Sequence, residues 1–170
     1  MGMNSTSHRP LGHRVVSHRL QVGALAGLAG GAAEVIWVWL YASLSTAEAA
    51  AVASGVTGTV WPVLATSSAA VPLGIVIHMA LAIVLGIAVA VLVPSVLPRS
   101  RSAVLEPVTV VGILIAVWAI NFLVILPIVN PAFTGLLPYG ATLASKVLFG
   151  LAAASVLRAY RGGGLAIARS

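Results

Sequence analysis

Residues 72–93 read PLGIVIHMALAIVLGIAVAVLV, and His78 is the single polar side chain in the run. As a helix this stretch is about 33 Å long, enough to cross the roughly 30 Å hydrocarbon layer of a bilayer. A helix apolar all round has no face to offer water, so lipid or other helices must surround it.

Three further stretches have the same character. Residues 20–42 read LQVGALAGLAGGAAEVIWVWLYA. A basic region precedes them, but the run is longer than the roughly 7–15 apolar residues of a secretory leader, which points to an uncleaved span. Residues 107–129 open on Pro107, as a proline at a helix start should. The stretch 139–160 follows the short link NPAFTGLLP and closes on Arg158, Arg161 and the triplet Gly162-Gly163-Gly164, which reads as a stop.

The composition agrees. The chain has 170 residues, 60% of them hydrophobic and 7% charged, with a mean hydropathy of +1.10. A soluble domain of this length has no interior large enough for so much apolar surface. The expected fold is an all-α integral membrane protein, a four-transmembrane-helix up-down bundle. A basic N-terminal tail (1–19), a transmembrane domain (20–161) and a short C-terminal tail (162–170) divide the chain.

Between the first two spans, SLSTAEAAAVASGVTGTVWPVLATSSAAV is apolar but rich in Gly, Ser and Thr. Ser45 and Glu48 have capping-box spacing, which predicts a helix entering the Ala-rich run. Its polar content and Trp61-Pro62 argue against a full span, so a short extra helix in the first outer loop is expected, interfacial or partly re-entrant.

Charge then orients the bundle. Arg9, Arg14 and Arg19 precede the first span, Arg99 and Arg101 lie between the second and third, and Arg158, Arg161 and Arg169 follow or end the fourth. An even span count places all eight arginines on one side, and neither opposite loop carries a basic residue. The positive-inside rule makes that side cytoplasmic, with both termini there, in a bacterial-type inner (plasma) membrane. The repeated His-Arg steps at 8–9, 13–14 and 18–19 advance about 140° each on a helix and share no face, so they read as a basic flank. In a chain of this kind the net charge of +6 belongs to topology and not to nucleic-acid binding.

Absences narrow the chemistry. No Cys means no disulfide, iron–sulfur cluster, thiolate zinc site or thiol nucleophile, and no Asp leaves Glu34, Glu48 and Glu106 as the only carboxylate side chains. Nothing resembles an activated Ser or Thr with a base and an orienting acid, so no independent catalytic activity is expected.

Polar residues inside the spans are expensive and therefore informative. Each span holds one: Glu34, His78, Asn121 and Lys146. Counted from the outer span ends, each lies roughly 9–12 Å deep, which puts all four in one layer of the outer half of the bilayer. Facing supports this for three of them. Gly23, Gly27 and Gly31 form a small-residue stripe that Glu34 extends, His78 continues Gly74, Ala82 and Gly86, and Lys146 precedes Gly150 and Ala154. These six glycines are the expected helix-packing positions. Asn121 lies about 180° round its helix from Gly112 and fits less well.

Three readings follow. The first is a non-catalytic membrane protein, an accessory subunit of a larger complex or a homo-oligomer, with a Glu34–Lys146 ion pair organising its core. The second is a transporter or proton-conducting component that uses the Glu34, His78 and Lys146 cluster. The third is a haem- or quinone-binding electron-transfer subunit, which depends on His78. Bis-axial haem would need a second ligand beyond that one intramembrane His, such as Met79, which points about 100° away, and a metal site from His78 and Glu34 lacks a third ligand. Expected partners are membrane lipid and other membrane subunits or further copies of the chain. Trp37, Trp39, Tyr41 and Trp61 read as an aromatic belt at the outer boundary. Trp118 is deeper and needs a hydrogen-bond partner for its indole. Pro127 either ends the third span or kinks it by freeing the Leu123 carbonyl.

Overall fold

A computed structural model describes the backbone of residues 11–96 and 104–167, and side chains within 17–96 and 104–160. Helix α1 (Leu11–Ser43) leads into α2 (Ala49–Val60) and a single 3-10 turn at Pro62–Leu64. Helix α3 (Ala70–Val96) returns, and α4 (Leu105–Ile120) continues through a wide π-helical segment, Asn121–Ile125, into α5 (Leu126–Val129). A 3-10 turn at Pro131–Gly135 then reverses the chain into α6 (Tyr139–Ile167). No strand occurs among the described residues. Four helical stretches are long and apolar enough to cross a membrane: Ser17–Ser43, Ala70–Val96, Leu105–Val129 and Tyr139–Tyr160.

Several boundaries differ from expectation. Helix α1 begins at Leu11, inside the expected basic tail, so the steps His13-Arg14 and His18-Arg19 are helical. The step His8-Arg9, Arg99, Arg101 and Arg169 lie outside the described residues. Helix α3 passes Pro94 and ends at Val96. Helix α6 runs through Gly162-Gly163-Gly164 to Ile167 rather than stopping there. A glycine ends a helix by turning into the left-handed region, and no described glycine has positive φ. The helix therefore continues at a propensity penalty of about 1 kcal/mol per glycine.

The capping box does not form. Glu48 is the N-cap of α2 but makes no side-chain cap bond, and the Ser45 hydroxyl accepts from the Ala47 amide at 3.2 Å instead. The helix is anchored from its flank: the buried Thr57 hydroxyl donates to the Ala70 carbonyl at 2.6 Å. The third span ends at Val129, where the sequence placed it, but with a local feature that the reading of Pro127 did not include. The Leu126 amide reaches back five residues to the Asn121 carbonyl, which opens the wide turn one residue before the proline. A proline has no amide for the residue four back and its ring crowds that carbonyl; widening the preceding turn accommodates both.

Helix α1 is the hub, packed extensively against α3 on one side and α6 on the other, while α4 packs on α6. Around the bundle the order is α3, α1, α6, α4, and the circle closes poorly because α3 and α4 touch only sparsely. Close approach of α1 to α3 follows from the glycines. A Cβ on Gly86 would overlap the Gly23 carbonyl and Gly27 backbone, and one on Gly23 would lie 2.7 Å from the Ile87 Cα. The stripe is thus an intrachain contact.

The core is lopsided. Val22, Ala26, Val89, Val93, Val110, Leu114, Phe149 and Leu157 are all buried in one cluster. On every helix these residues lie toward the end that carries the chain termini, relative to Glu34, His78, Asn121 and Lys146. That half is close-packed. The opposite half is not.

Candidate functional site

Glu34 sits on α1 one turn beyond Gly30 and Gly31. Gly31 lies against Ala82 and Met79 of α3, and Gly30 lies against the Phe149 ring of α6. With small residues at both contacts, α3 and α6 come near enough for the Glu34 carboxylate to reach both. Its residue is 4% exposed.

The carboxylate is held mainly from α6. Lys146 Nζ lies 2.7 Å from Glu34 Oε1 and 2.9 Å from Oε2, a two-oxygen contact. The buried Ser145 hydroxyl is 3.1 Å from Oε1 and 2.7 Å from the Thr142 carbonyl; one hydroxyl proton serves one of these acceptors at a time. From α3, His78 Nε2 approaches Glu34 Oε2 at 3.6 Å, too long for a hydrogen bond, and this buried nitrogen has no hydrogen-bond partner. The ammonium also lies 5.6 Å from the centre of the Phe149 ring, within range of a cation–π contact.

A buried charge pair need not add net stability: desolvating both ions offsets their attraction, whereas removing one partner strands the other. The pair joins α1 to α6.

Above this cluster lies a cavity of about 700 Å³. All four residues singled out by depth, Glu34, His78, Asn121 and Lys146, line it. Its remaining wall is overwhelmingly apolar, contributed by every helix of the bundle together with α2 and the turn before α6. Asn121 shares the cavity-facing side of its helix with Val117 and Trp118, one turn earlier; the facing argument from Gly112 had left it without a neighbour. A Cβ on Gly112 would meet nothing within 4 Å, so that glycine marks no contact.

The cavity exists because the two halves are packed differently. On α3, Gly86 abuts α1 directly, whereas eight residues earlier His78 lines the cavity beside Glu34. Leu81 and Val84 line the cavity and remain 59% and 64% exposed, and α3 meets α4 only sparsely, so the α3–α4 seam is one opening of the cavity. Trp39 of α1 and Val60 of α2, also in the wall, are exposed as well.

Opposite the ion pair, α2 forms the cover. A Cβ on Gly74 would overlap the Ala53 carbonyl, so Gly74 belongs to the α2–α3 contact and not to the α1 face that carries Gly86. The Asn130 amide donates to the Thr59 hydroxyl at 3.0 Å and to the Gly55 carbonyl at 3.4 Å, fastening α2 to the turn after α5. The sixth expected packing position, Gly150, abuts Val111 and Leu114 of α4.

Sequence reasoning did not find Ser145, Thr142 or Asn130 as site residues. Ser and Thr are common inside apolar helices, where they satisfy themselves on a carbonyl one turn back, so nothing in the string separates a functional one from an idle one. Trp118 does find its partner: its indole N–H donates to the Thr142 hydroxyl at 3.0 Å. Trp37 donates to the Ala141 carbonyl at 2.9 Å, so it fastens α1 to α6 in addition to any role at an interface.

Met79 does not join His78 at the cavity. Its sulfur lies against Gly31 in the α1–α3 contact, so the donor set does not fit bis-axial haem within one chain. No group of three His or Glu residues that would hold a metal ion occurs among the described residues. Comparison with family models, curated proteins and solved structures finds no match to this chain.

Proposed function

We propose that this chain is a multi-pass membrane protein, both ends in the cytoplasm, that holds a small ligand within the outer half of the bilayer and has no catalytic activity of its own. It serves as a binding component, working with other membrane subunits or further copies of itself. One observation carries this reading: all four spans contribute their polar residue to a single cavity of about 700 Å³. That volume falls within the roughly 300–1,000 Å³ of small-molecule sites, and apolar walls with a few convergent polar groups are their usual character. A purely structural ion pair does not call for a cavity beside it.

The transport reading has less support. A conducting path must continue to both sides, and the half nearer the termini is filled by Val22, Val89, Val93, Leu114 and Phe149, all buried. Continuous close packing of this kind leaves no route for water or a proton.

The test is native mass spectrometry of the protein taken from its own membrane in a gentle detergent, with a visible spectrum of the same sample. The expected result is a colourless protein carrying a noncovalent small molecule, which Val56→Trp displaces by filling the cavity from α2. A chain that arrives empty in both forms removes the binding reading and leaves a scaffold.

A further inference from the structure

The polar floor of the cavity selects its ligand by charge. Lys146 and Glu34 neutralise each other across 2.7 Å, so the floor presents no net positive charge to an anion and no net negative charge to a cation. A phosphate head would have to break that pair and leave Glu34 facing a like charge in a low-dielectric site, which is strongly unfavourable. The ligand head is therefore uncharged.

It is not apolar, however. Lys146 has three N–H donors and two are directed at Glu34, leaving one unmatched among the described residues. His78 Nε2 is buried and without a hydrogen-bond partner. Asn121 adds an amide to the same lining. An unmatched buried polar group calls for a partner, and the imidazole nitrogen stands in a wall that also holds a lysine donor and an amide, from three different spans. Ring carbonyl or ring hydroxyl oxygens meet these demands from one small head.

The wall also suits a flat ring. Trp118 and Phe122 stack at 5.9 Å with 22° between planes, and both line the cavity, as does Phe149. Such faces favour offset stacking with another ring. A tail has somewhere to go as well, since the seam between α3 and α4 leaves Leu81 and Val84 exposed at the cavity's edge. In a membrane that seam faces lipid.

Building on the binding reading above, we infer that the cavity takes a neutral lipid-soluble quinone or quinol, its ring head on Lys146, His78 and Asn121 and its tail leaving between α3 and α4. No electron transfer is part of this inference.

The experiment is a titration of the purified, delipidated protein in nanodiscs of zwitterionic lipid with short-chain ubiquinone and menaquinone analogues, read by tryptophan quenching. Phosphatidylglycerol and a long-chain alcohol are run in parallel. Saturable binding of a quinone alone is expected, weakened about tenfold in Asn121→Leu and in His78→Leu, the loss of about one buried hydrogen bond. Both variants avoid the ion pair, and unchanged melting temperatures establish that they remain folded. Equal binding of phosphatidylglycerol or the alcohol overturns the quinone assignment, as does quinone binding that neither substitution weakens. So does a second membrane protein that fills the α3–α4 seam and excludes the quinone. The mass-spectrometric experiment tests cavity occupancy regardless of ligand class, so a bound molecule that is not a quinone overturns this inference and leaves the binding reading standing.

Discussion

Glu34 and Lys146 show how a single residue is forced into a role by its solvent. A buried ion is costly without a partner, so each must find the other or a substitute, and at 2.7 Å they have done so. Lys146→Met alone or Glu34→Gln alone should destabilise the protein by about 3–5 kcal/mol, the penalty of stranding a buried charge. The pair together should lose much less than the sum of the singles, because the couple is removed as a unit. Thermal unfolding of the three variants in detergent checks this, and additive losses would contradict the pairing. Trp118 makes a smaller test. Thr142→Val removes the hydroxyl that accepts its indole proton at 3.0 Å and should lower stability by about 1–3 kcal/mol, measured in the same way. The charged residues were legible as site candidates because a charge among apolar neighbours always needs an explanation. Thr142 was not, since a hydroxyl in a helix can satisfy itself one turn back.

At the scale of elements, the glycines divide into those that hold two helices together and those that do not. A Cβ on Gly86 would overlap backbone atoms of Gly23 and Gly27, which cannot rotate aside, so Gly86→Ala should part α1 from α3 and destabilise by about 1–3 kcal/mol or more. Gly112→Ala meets open space and should be neutral or stabilising by about 0.5–1 kcal/mol, since alanine is the better helix former. Comparing the melting temperatures of the two variants separates packing from propensity. The helix ends were the least legible part. Gly162-Gly163-Gly164 reads as a stop, yet whether a glycine turns or continues depends on what the chain meets there, and α6 continues to Ile167. The wide turn at Asn121–Ile125 was likewise hidden. Pro127 announces a disturbance, but not whether the helix ends, kinks or widens to absorb it.

For the whole molecule, the decisive property is the contrast between its two halves: one closely packed around Phe149 and Leu114, the other left open between α3 and α4 under the cover of α2. The proposed topology is directly measurable because the chain contains no cysteine. Single cysteines at Thr46 and Thr134, in the two turns remote from the termini, should react with a membrane-impermeant maleimide added outside intact cells. One at Ser17 should react only after the membrane is opened. Labelling of Thr46 and Thr134 from opposite sides would mean an odd number of crossings between them and would rule out the four-span arrangement.

By itself the sequence determined the four long apolar helices, their ends to within several residues, and which side chains the apolar segments make costly. These follow from local quantities: the length of each run, its hydropathy, and the isolation of Glu34, His78, Asn121 and Lys146 within it. Only the tertiary structure decided that the four share one cavity, that α1 is the hub, that Gly74 packs on α2 while Gly86 packs on α1, and that α3 and α4 stand apart. Those outcomes depend on how closely several helices approach at once, which rests on contacts between residues far apart in the chain and leaves no periodic signature in any one of them.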